Sequence, residues 1–172
     1  MGINSGCVNK CGMNGDRDMA NVYKGRKLDI GCGTALKEGY VGLDKRKLDG
    51  VEIIHDLEVF PYPIEDNTFS EIRGHHVIEH IKPWYTVDFM DELWRIMELD
   101  GLLMLDMPYA GTNSYWQDPT HCNGCIELTF EYFDPRKDMY QIYRPNPWKI
   151  EDGFPVRENG EFLHVWLHKI GR

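Results

Sequence analysis

The stretch that decides the fold covers residues 27–44 and has the sequence KLDIGCGTALKEGYVGLD. Its first four residues form a short apolar run that ends at Gly31 and Gly33, which predicts a buried strand followed by a tight turn. Residues 39–44 predict a second strand that ends in Asp44. Glycine lets a ligand approach the main chain, and a carboxylate at the next strand end can bind a ribose diol. The stretch therefore favours a nucleoside site, and a plain tight turn is the alternative.

The connection between these two strands is too short for an ordinary crossover helix. Eight residues separate Gly33 from Gly42, whereas a crossover takes about 10–12 or more. Position 36 is Leu36, where a dinucleotide fingerprint would have its third glycine. A pyrophosphate would therefore lack a helix N-terminus to bind. A ligand that carries adenosine without phosphate, such as S-adenosylmethionine, needs none.

The remaining patterns predict an α/β domain with a mostly parallel sheet. The best helix pattern covers residues 83–99, where apolar residues recur at helical spacing. A short helix is predicted over residues 126–133, and strands are predicted at residues 51–55, 70–75, 102–105, 139–143 and 161–169. In such a sheet a ligand binds at the carboxyl ends of the strands. Those positions follow Ile30, Asp44, His55, His75 and Met107.

Length, charge and hydropathy argue against several classes of protein. The 172 residues predict one domain, and 19 basic against 28 acidic residues give a net charge of −9, which argues against sequence-independent nucleic-acid binding. No apolar run approaches the length of a membrane span. Residues 1–21 are polar and rich in Gly and Asn, without the apolar core of a secretory signal, and predict an N-terminal arm. We therefore expect a cytoplasmic protein whose partner is a small molecule; the sequence does not indicate an oligomeric state.

Several segments between residues 27 and 107 follow one another in an order typical of one family. They are LDIGCG (28–33), GLD (42–44), HDL (55–57), FPYPIEDNTF (60–69), HVIEH (76–80), ELWRIM (92–97) and DG (100–101). As a set they resemble the class I S-adenosylmethionine-dependent methyltransferases. DPTH (118–121) and FEYF (130–133) are similar to segments of predicted methyltransferases that have a shortened first crossover.

The resemblance implies a Rossmann-like sheet with a C-terminal antiparallel hairpin, a first helix that is very short or absent, and S-adenosyl-L-methionine as cofactor. It implies that Asp44 holds the ribose hydroxyls and that Asp56 and Leu57 meet the adenine edge. Asp29 would support the loop, and His75 and His76 would line the floor near the sulfonium. The implied cofactor site comprises Asp29, Gly31, Cys32, Gly33, Asp44, Asp56, Leu57, His75 and His76.

The candidates for catalysis are His121, His80 and Asp118, and residues 108–135 form an active-site loop and a short helix. Glu79 could also act as a base, or it could fix the loop by hydrogen bonds. A base is required only when the acceptor must lose a proton, as a hydroxyl does. His121 is the first choice because an imidazole can be neutral near pH 7. It could instead anchor the substrate or the loop, and residues 118–121 could be a structural turn.

The cysteines allow two interpretations. Cys7, Cys11, Cys122 and Cys125 could form a four-thiolate zinc site, with His121 as an alternative ligand. They could equally be unliganded thiols in a reducing compartment, as an odd total of five cysteines suggests.

The sequence thus predicts methyl transfer to a small molecule, such as a sugar or another metabolite hydroxyl. A non-catalytic module that binds S-adenosylmethionine or another nucleoside is the first alternative. A nicotinamide-dependent oxidoreductase is the second, and the short crossover and Leu36 argue against it.

Overall fold

One eight-stranded sheet organises residues 22–172, which are the part of the chain that the computed structural model describes. The strands are β1 (Arg26–Ile30), β2 (Tyr40–Asp44), β3 (Val51–Ile54), β4 (Phe69–His75), β5 (Met97–Pro108), β6 (Trp148–Ile150), β7 (Val156–Glu158) and β8 (Phe162–Lys169). Their order is β3-β2-β1-β4-β5-β8-β6, and β7 pairs with β8 off this path. The predicted arm, with Cys7 and Cys11, lies outside the described residues.

The sheet is parallel from β3 to β5 and antiparallel where β8 meets β5, β6 and β7. This confirms the predicted α/β class, with a mostly parallel sheet and an antiparallel C-terminal part. Because β1 and β4 are central neighbours, the turn after Ile30 lies next to the turn after His75. The carboxyl ends of β1 to β4 therefore share one edge of the sheet.

Helices are few and short. They are α1 (Thr86–Ile96), α2 (Asn113–Trp116), α3 (Glu127–Glu131) and α4 (Tyr140–Tyr143), with 3-10 turns at Ile78–His80 and Pro83–Tyr85. No helix occurs between β1 and β2 in residues 31–39, which confirms the prediction for the first crossover. Within residues 22–172, every helix is too short or too polar to cross a bilayer.

The core lies on the two faces of the sheet. On β1, Leu28 and Ile30 are fully buried. The helix α1 buries the face that carries Phe89 and Leu93. The residues of β8 alternate in burial. The odd-numbered residues from Leu163 to Lys169 are buried, and the even-numbered residues are more exposed. Burying one face of each strand fixes the register, because a slip of one residue would turn the buried set outward.

Two sequence predictions were wrong. The predicted helix over residues 83–99 ends at Ile96, because Met97 is fully buried and pairs with Phe69 as the first residue of β5. The predicted strand over residues 139–143 is the helix α4. Ile142 and Tyr143 are exposed there, and no neighbouring strand pairs with them. Their β propensity therefore does not lead to a strand.

The strand β5 provides a matched pair for testing the core. Leu103 is fully buried and Leu99 is 59% exposed. We expect Leu103→Ala to lower the free energy of unfolding by about 2–5 kcal/mol, because it removes buried methyl groups and leaves a cavity. Leu99→Ala should change it by about 0.5 kcal/mol or less. Urea unfolding measures both, and equal losses would contradict the placement of β5 in the core.

Candidate active site

The turn after β1 adopts a backbone that favours glycine. Gly31 has φ +60° and Gly33 has φ +54°, both in the left-handed region. A Cβ atom on Gly31 would lie 2.7 Å from Cγ2 of Val77, which follows β4. The turn therefore packs closely on the next strand end, and a side chain at Gly31 would separate the two.

Asp29 fixes the loop that replaces the crossover helix. Its carboxylate is almost fully buried. Oδ2 accepts a hydrogen bond from the main-chain N–H of Lys37 at 3.0 Å and from Nη1 of Arg73 at 3.2 Å. Asp29 thus supports the loop from below and is not part of the cleft surface described next.

A cleft of about 530 Å³ opens at the carboxyl ends of β1 to β4. This volume is within the range of small-molecule sites, roughly 300–1,000 Å³. Its lining residues are Gly31, Asp44, Lys45, Arg46, His55, Asp56, Leu57, Glu58, His76, Val77, His80, Ile81 and Thr120. The two acidic residues predicted for the ribose and adenine, Asp44 and Asp56, therefore face the same space.

Asp44 has all its acceptor positions occupied. It accepts hydrogen bonds from the main-chain N–H groups of Gly33 and Arg46, both at 2.9 Å, and from the Arg46 guanidinium at 3.1 and 3.3 Å. Burial raises the pKa of Asp44, but the hydrogen bonds from Arg46 and Gly33 outweigh it and lower the pKa overall. The carboxylate is therefore ionised at neutral pH. The Arg46 side chain is 61% exposed, so ribose hydroxyls could displace it.

The structure brings six of the twelve predicted cofactor-binding and catalytic residues to the cleft surface. These are Gly31, Asp44, Asp56, Leu57, His76 and His80. The others lie behind it or beside it: Asp29, Cys32, Gly33, His75, Asp118 and His121. Cys32 is buried, and burial, with Asp29 and Asp44 nearby, raises the pKa of its thiol to about 11. It is a protonated packing residue under the turn.

Sequence reasoning missed several lining residues. Arg46 belongs to the basic run at residues 45–47, and its position two residues after the strand-end acid could have indicated an ion pair with Asp44. Thr120 is part of the DPTH segment. The contact between Thr120 and His80, 3.1 Å from Oγ1 to Nδ1, joins segments far apart in the sequence and has no local pattern.

A cluster of His76, Glu79, His80 and His121, here called the histidine cluster, borders the cleft. Glu79 is fully buried, and its Oε1 accepts a hydrogen bond from Nδ1 of His76 at 3.0 Å. Nε2 of His121 lies 4.0 Å from the same oxygen. The rings of His80 and His121 are 4.8 Å apart between centroids. Two of the three catalytic candidates thus lie side by side, and His80 is the one exposed to the cleft.

Asp118, the third candidate, stabilises the turn that carries Thr120. Its Oδ1 accepts from the Thr120 hydroxyl at 2.7 Å and from the Thr120 main-chain N–H at 2.8 Å. These two hydrogen bonds lower the pKa of Asp118. Through Thr120, Asp118 contacts His80 indirectly.

Of the four cysteines predicted to bind zinc, Cys122 and Cys125 lie in the described part of the chain, and neither belongs to a group of three possible metal ligands there. Sγ of Cys122 lies 3.7 Å from the carbonyl oxygens of His80 and Ile81. Cys125 is buried, and burial, with Glu79 nearby, raises the pKa of its thiol to about 12, so it is not a thiolate. Among residues 22–172, a group of three possible metal ligands does occur, but it consists of Glu79, His80 and His121.

Neither the family models nor the curated proteins contain a match to this sequence. Solved structures do match. A SAM-dependent methyltransferase from Archaeoglobus fulgidus matches with a TM-score of 0.62 at 16% identity, over 85% of this chain and 86% of its own. One from Aquifex aeolicus matches with a TM-score of 0.58 at 16% identity, over 86% and 84%. The chain has the class I methyltransferase fold.

Proteins with this fold do not all have the same activity. The cyclase SpnF also matches, with a TM-score of 0.56 at 13% identity, over 88% of this chain and 78% of its own. Sequence identities this low show a shared fold only, and the reaction of this chain depends on the residues of its own cleft.

A second polar group lies at the end of β5. Oδ1 of Asp106 is 2.6 Å from Nδ1 of His164, whose Nε2 is 3.0 Å from Oε2 of Glu158. Oδ2 of Asp106 lies 3.4 Å from Nδ1 of His75. Partial burial lowers the pKa of His164, but its hydrogen bonds with Asp106 and Glu158 outweigh this and raise the pKa above 6.5.

We therefore expect His164 to titrate above 6.5 in the folded protein, and Asp106→Asn to lower its pKa. Because the folded-state pKa is raised, the ion pair stabilises the protein fully below pH 6.5 and less as pH rises through the folded-state pKa. NMR titration of the histidine ring protons measures the shift. Glu151→Gln, which removes a partner of His168 instead, is the control. An unchanged His164 titration in Asp106→Asn would contradict the assignment.

Proposed function

We propose that this protein transfers a methyl group from S-adenosylmethionine to a hydroxyl group of a small molecule, such as a sugar. The observation that carries the proposal is the cleft at the strand ends, where the left-handed glycine turn, Asp44, Asp56 and His80 line one space. A main-chain surface and strand-end carboxylates suit a nucleoside. The class I fold adds support from an independent source.

In the proposed complex the ribose hydroxyls bind Asp44 in place of the Arg46 guanidinium. Arg46 can leave because its side chain is largely exposed, whereas the main-chain N–H groups of Gly33 and Arg46 keep the carboxylate oriented. The adenine lies by Asp56 and Leu57, and the sulfonium lies between Gly31 and His76. This order follows the arrangement of β1 to β4 along the edge of the sheet.

The loop between β1 and β2 favours S-adenosylmethionine over a nicotinamide dinucleotide. Residues 31–39 contain no helix, so they offer no helix N-terminus to a pyrophosphate. Instead, Lys37 is bound through its main-chain N–H to the buried Asp29. A phosphate-free cofactor fits this loop, because its ribose and main-chain contacts do not require a helix dipole.

Methyl transfer in this cleft is an in-line displacement. The bond between the methyl carbon and sulfur breaks, its electron pair stays on sulfur as a neutral thioether, and a bond forms from the acceptor oxygen to the methyl carbon. The sulfonium is already activated, so the protein mainly positions the reactants and excludes water. The acceptor hydroxyl must also lose its proton. We assign this step to the histidine cluster, where His80 faces the cleft, His121 lies behind it and Asp118 holds Thr120.

Calorimetry with S-adenosylhomocysteine and with NAD tests the cofactor. We expect S-adenosylhomocysteine to bind at least about 100-fold more tightly, because the pyrophosphate of NAD would lie unsatisfied at the loop. Tighter binding of NAD, or no binding of S-adenosylhomocysteine, would overturn the proposal. Release of S-adenosylhomocysteine from S-adenosylmethionine with a panel of sugar and other hydroxyl acceptors then tests turnover; binding without turnover on any acceptor would indicate a binding module.

Asp44 and Arg46 form a matched pair of variants for the ribose contact. Asp44→Ala should weaken S-adenosylhomocysteine binding by about 10- to 100-fold, because hydrogen bonds to a charged group are lost. Arg46→Ala removes the same ion pair but keeps the carboxylate, so it should bind the ligand equally well or more tightly. Circular dichroism checks that Asp44→Ala remains folded. Equal weakening in both variants, or none in Asp44→Ala, would contradict the ribose assignment.

A further inference from the structure

Glu79 carries a buried oxygen that nothing in the described chain satisfies. The residue is fully buried, and Oε1 accepts from His76, but Oε2 has no hydrogen-bond partner within residues 22–172. A buried carboxylate oxygen without a partner is strongly destabilising, and proteins normally pair such a group or bind a metal ion to it. Glu79 therefore has acceptor capacity that residues 22–172 leave unused.

The lone pair of His121 faces two carboxylates. Nδ1 of His121 lies 2.7 Å from the carbonyl oxygen of Tyr115, so this nitrogen must carry the proton and donate it. In the neutral ring, Nε2 then holds a lone pair. It lies 4.0 Å from Oε1 of Glu79 and 4.0 Å from Oδ2 of Asp118, too far for a hydrogen bond. His121 Nε2 and the two carboxylate oxygens are all electron-pair donors, so a bound cation would offset the repulsion between them.

His80 is oriented in the same way. The Thr120 hydroxyl donates its proton to Asp118, so it accepts the hydrogen bond that joins it to Nδ1 of His80. This fixes the proton of His80 on Nδ1 and leaves the lone pair on Nε2. Histidines that bind metals usually donate their other N–H to a carbonyl or to a carboxylate network, which fixes the ring. Both His80 and His121 have such a partner.

We infer that Glu79, His80 and His121 bind a divalent transition-metal ion. Each residue offers one ligand atom within 4.8 Å of those from the other two. Two atoms bound to one ion at about 2.0–2.2 Å lie about 3–4 Å apart, so binding requires a modest contraction of the group. Two imidazoles and one carboxylate suit Zn²⁺, Co²⁺ or Fe²⁺ better than Mg²⁺ or Ca²⁺, which prefer oxygen.

The place of the site in the fold indicates what the ion does. Glu79 is buried, whereas His80 and Thr120 line the cleft, so the open coordination positions face the space beside the proposed sulfonium. A metal ion lowers the pKa of a hydroxyl bound to it and orients its oxygen. With His80 and His121 acting as ligands, solvent water would take the proton of the acceptor hydroxyl in place of the imidazoles, and the ion would hold the acceptor oxygen towards the methyl group. This role rests on the proposed function, but the metal site does not.

Cobalt titration of the full-length protein, purified and treated with chelator, tests the site. We expect Co²⁺ to bind with visible absorption bands of nitrogen and oxygen ligands and without strong near-ultraviolet absorption from thiolate ligands. Glu79→Gln and His121→Asn should each weaken binding by about 100-fold or more. Cys122→Ser, which alters a neighbouring thiol, and His168→Asn, which alters a histidine paired with Glu151, should bind Co²⁺ like the unmodified protein.

The cobalt titration distinguishes the metal site from an arrangement of the same residues without a metal ion. If Co²⁺ does not bind, or binds through thiolates and survives His121→Asn, the inference is wrong. In that case His121 would anchor the loop through its hydrogen bond to the carbonyl oxygen of Tyr115. S-adenosylhomocysteine binding, measured in the same variants, keeps the two proposals apart. Cofactor binding without cobalt binding would overturn the metal site alone, and cobalt binding without cofactor binding would overturn the proposed function alone.

Discussion

The candidate site depends on the buried carboxylate of Asp29, because it performs the task that a crossover helix would otherwise perform. By accepting hydrogen bonds from Lys37 and Arg73, it fixes the loop after β1 and ties it to β4. The glycine turn can then lie against Val77, and its main chain stays open to the cleft. Residues 31–39 contain no helix or strand, so their position depends on this buried anchor together with the hydrogen bond from the Gly33 N–H to Asp44.

The cleft has two poles with different chemistry. On one side, Asp44 is fully satisfied and ionised, with a guanidinium that can be exchanged for ligand hydroxyls. On the other side, Glu79 is buried and only half satisfied, with two oriented imidazoles beside it. The first arrangement suits a neutral sugar ring, and the second suits a cation. The proposed reaction joins a positively charged sulfonium to an acceptor oxygen that must lose its proton, so it would use both sides of the cleft.

Local patterns were sufficient for the frame of this site but not for its chemistry. The strand, the glycine turn and Asp44 are predictable because the apolar run, the left-handed backbone and the strand-end acid are all encoded within residues 27–44. The helix α4 was mistaken for a strand because β propensity depends on a neighbouring strand, which residues 140–143 lack. The proximity of Glu79 and His121 in space could not be predicted, since Glu79 lies in a turn after β4 and His121 in a segment after β5. The four cysteines suggested a metal centre, and the described residues suggest different ligands for one.

The strand β8 has a consequence for how the molecule is made. It is the last of the eight described strands to leave the ribosome, yet it lies inside the sheet between β5 and β6. β6 and β7 are held in the sheet only through β8, so they remain without partners until translation has passed residue 169. During that interval the exposed edge of β5, which carries Leu103 and Leu105, is open to other chains. The order of synthesis therefore leaves this edge of the sheet unpaired until the last described strand is made.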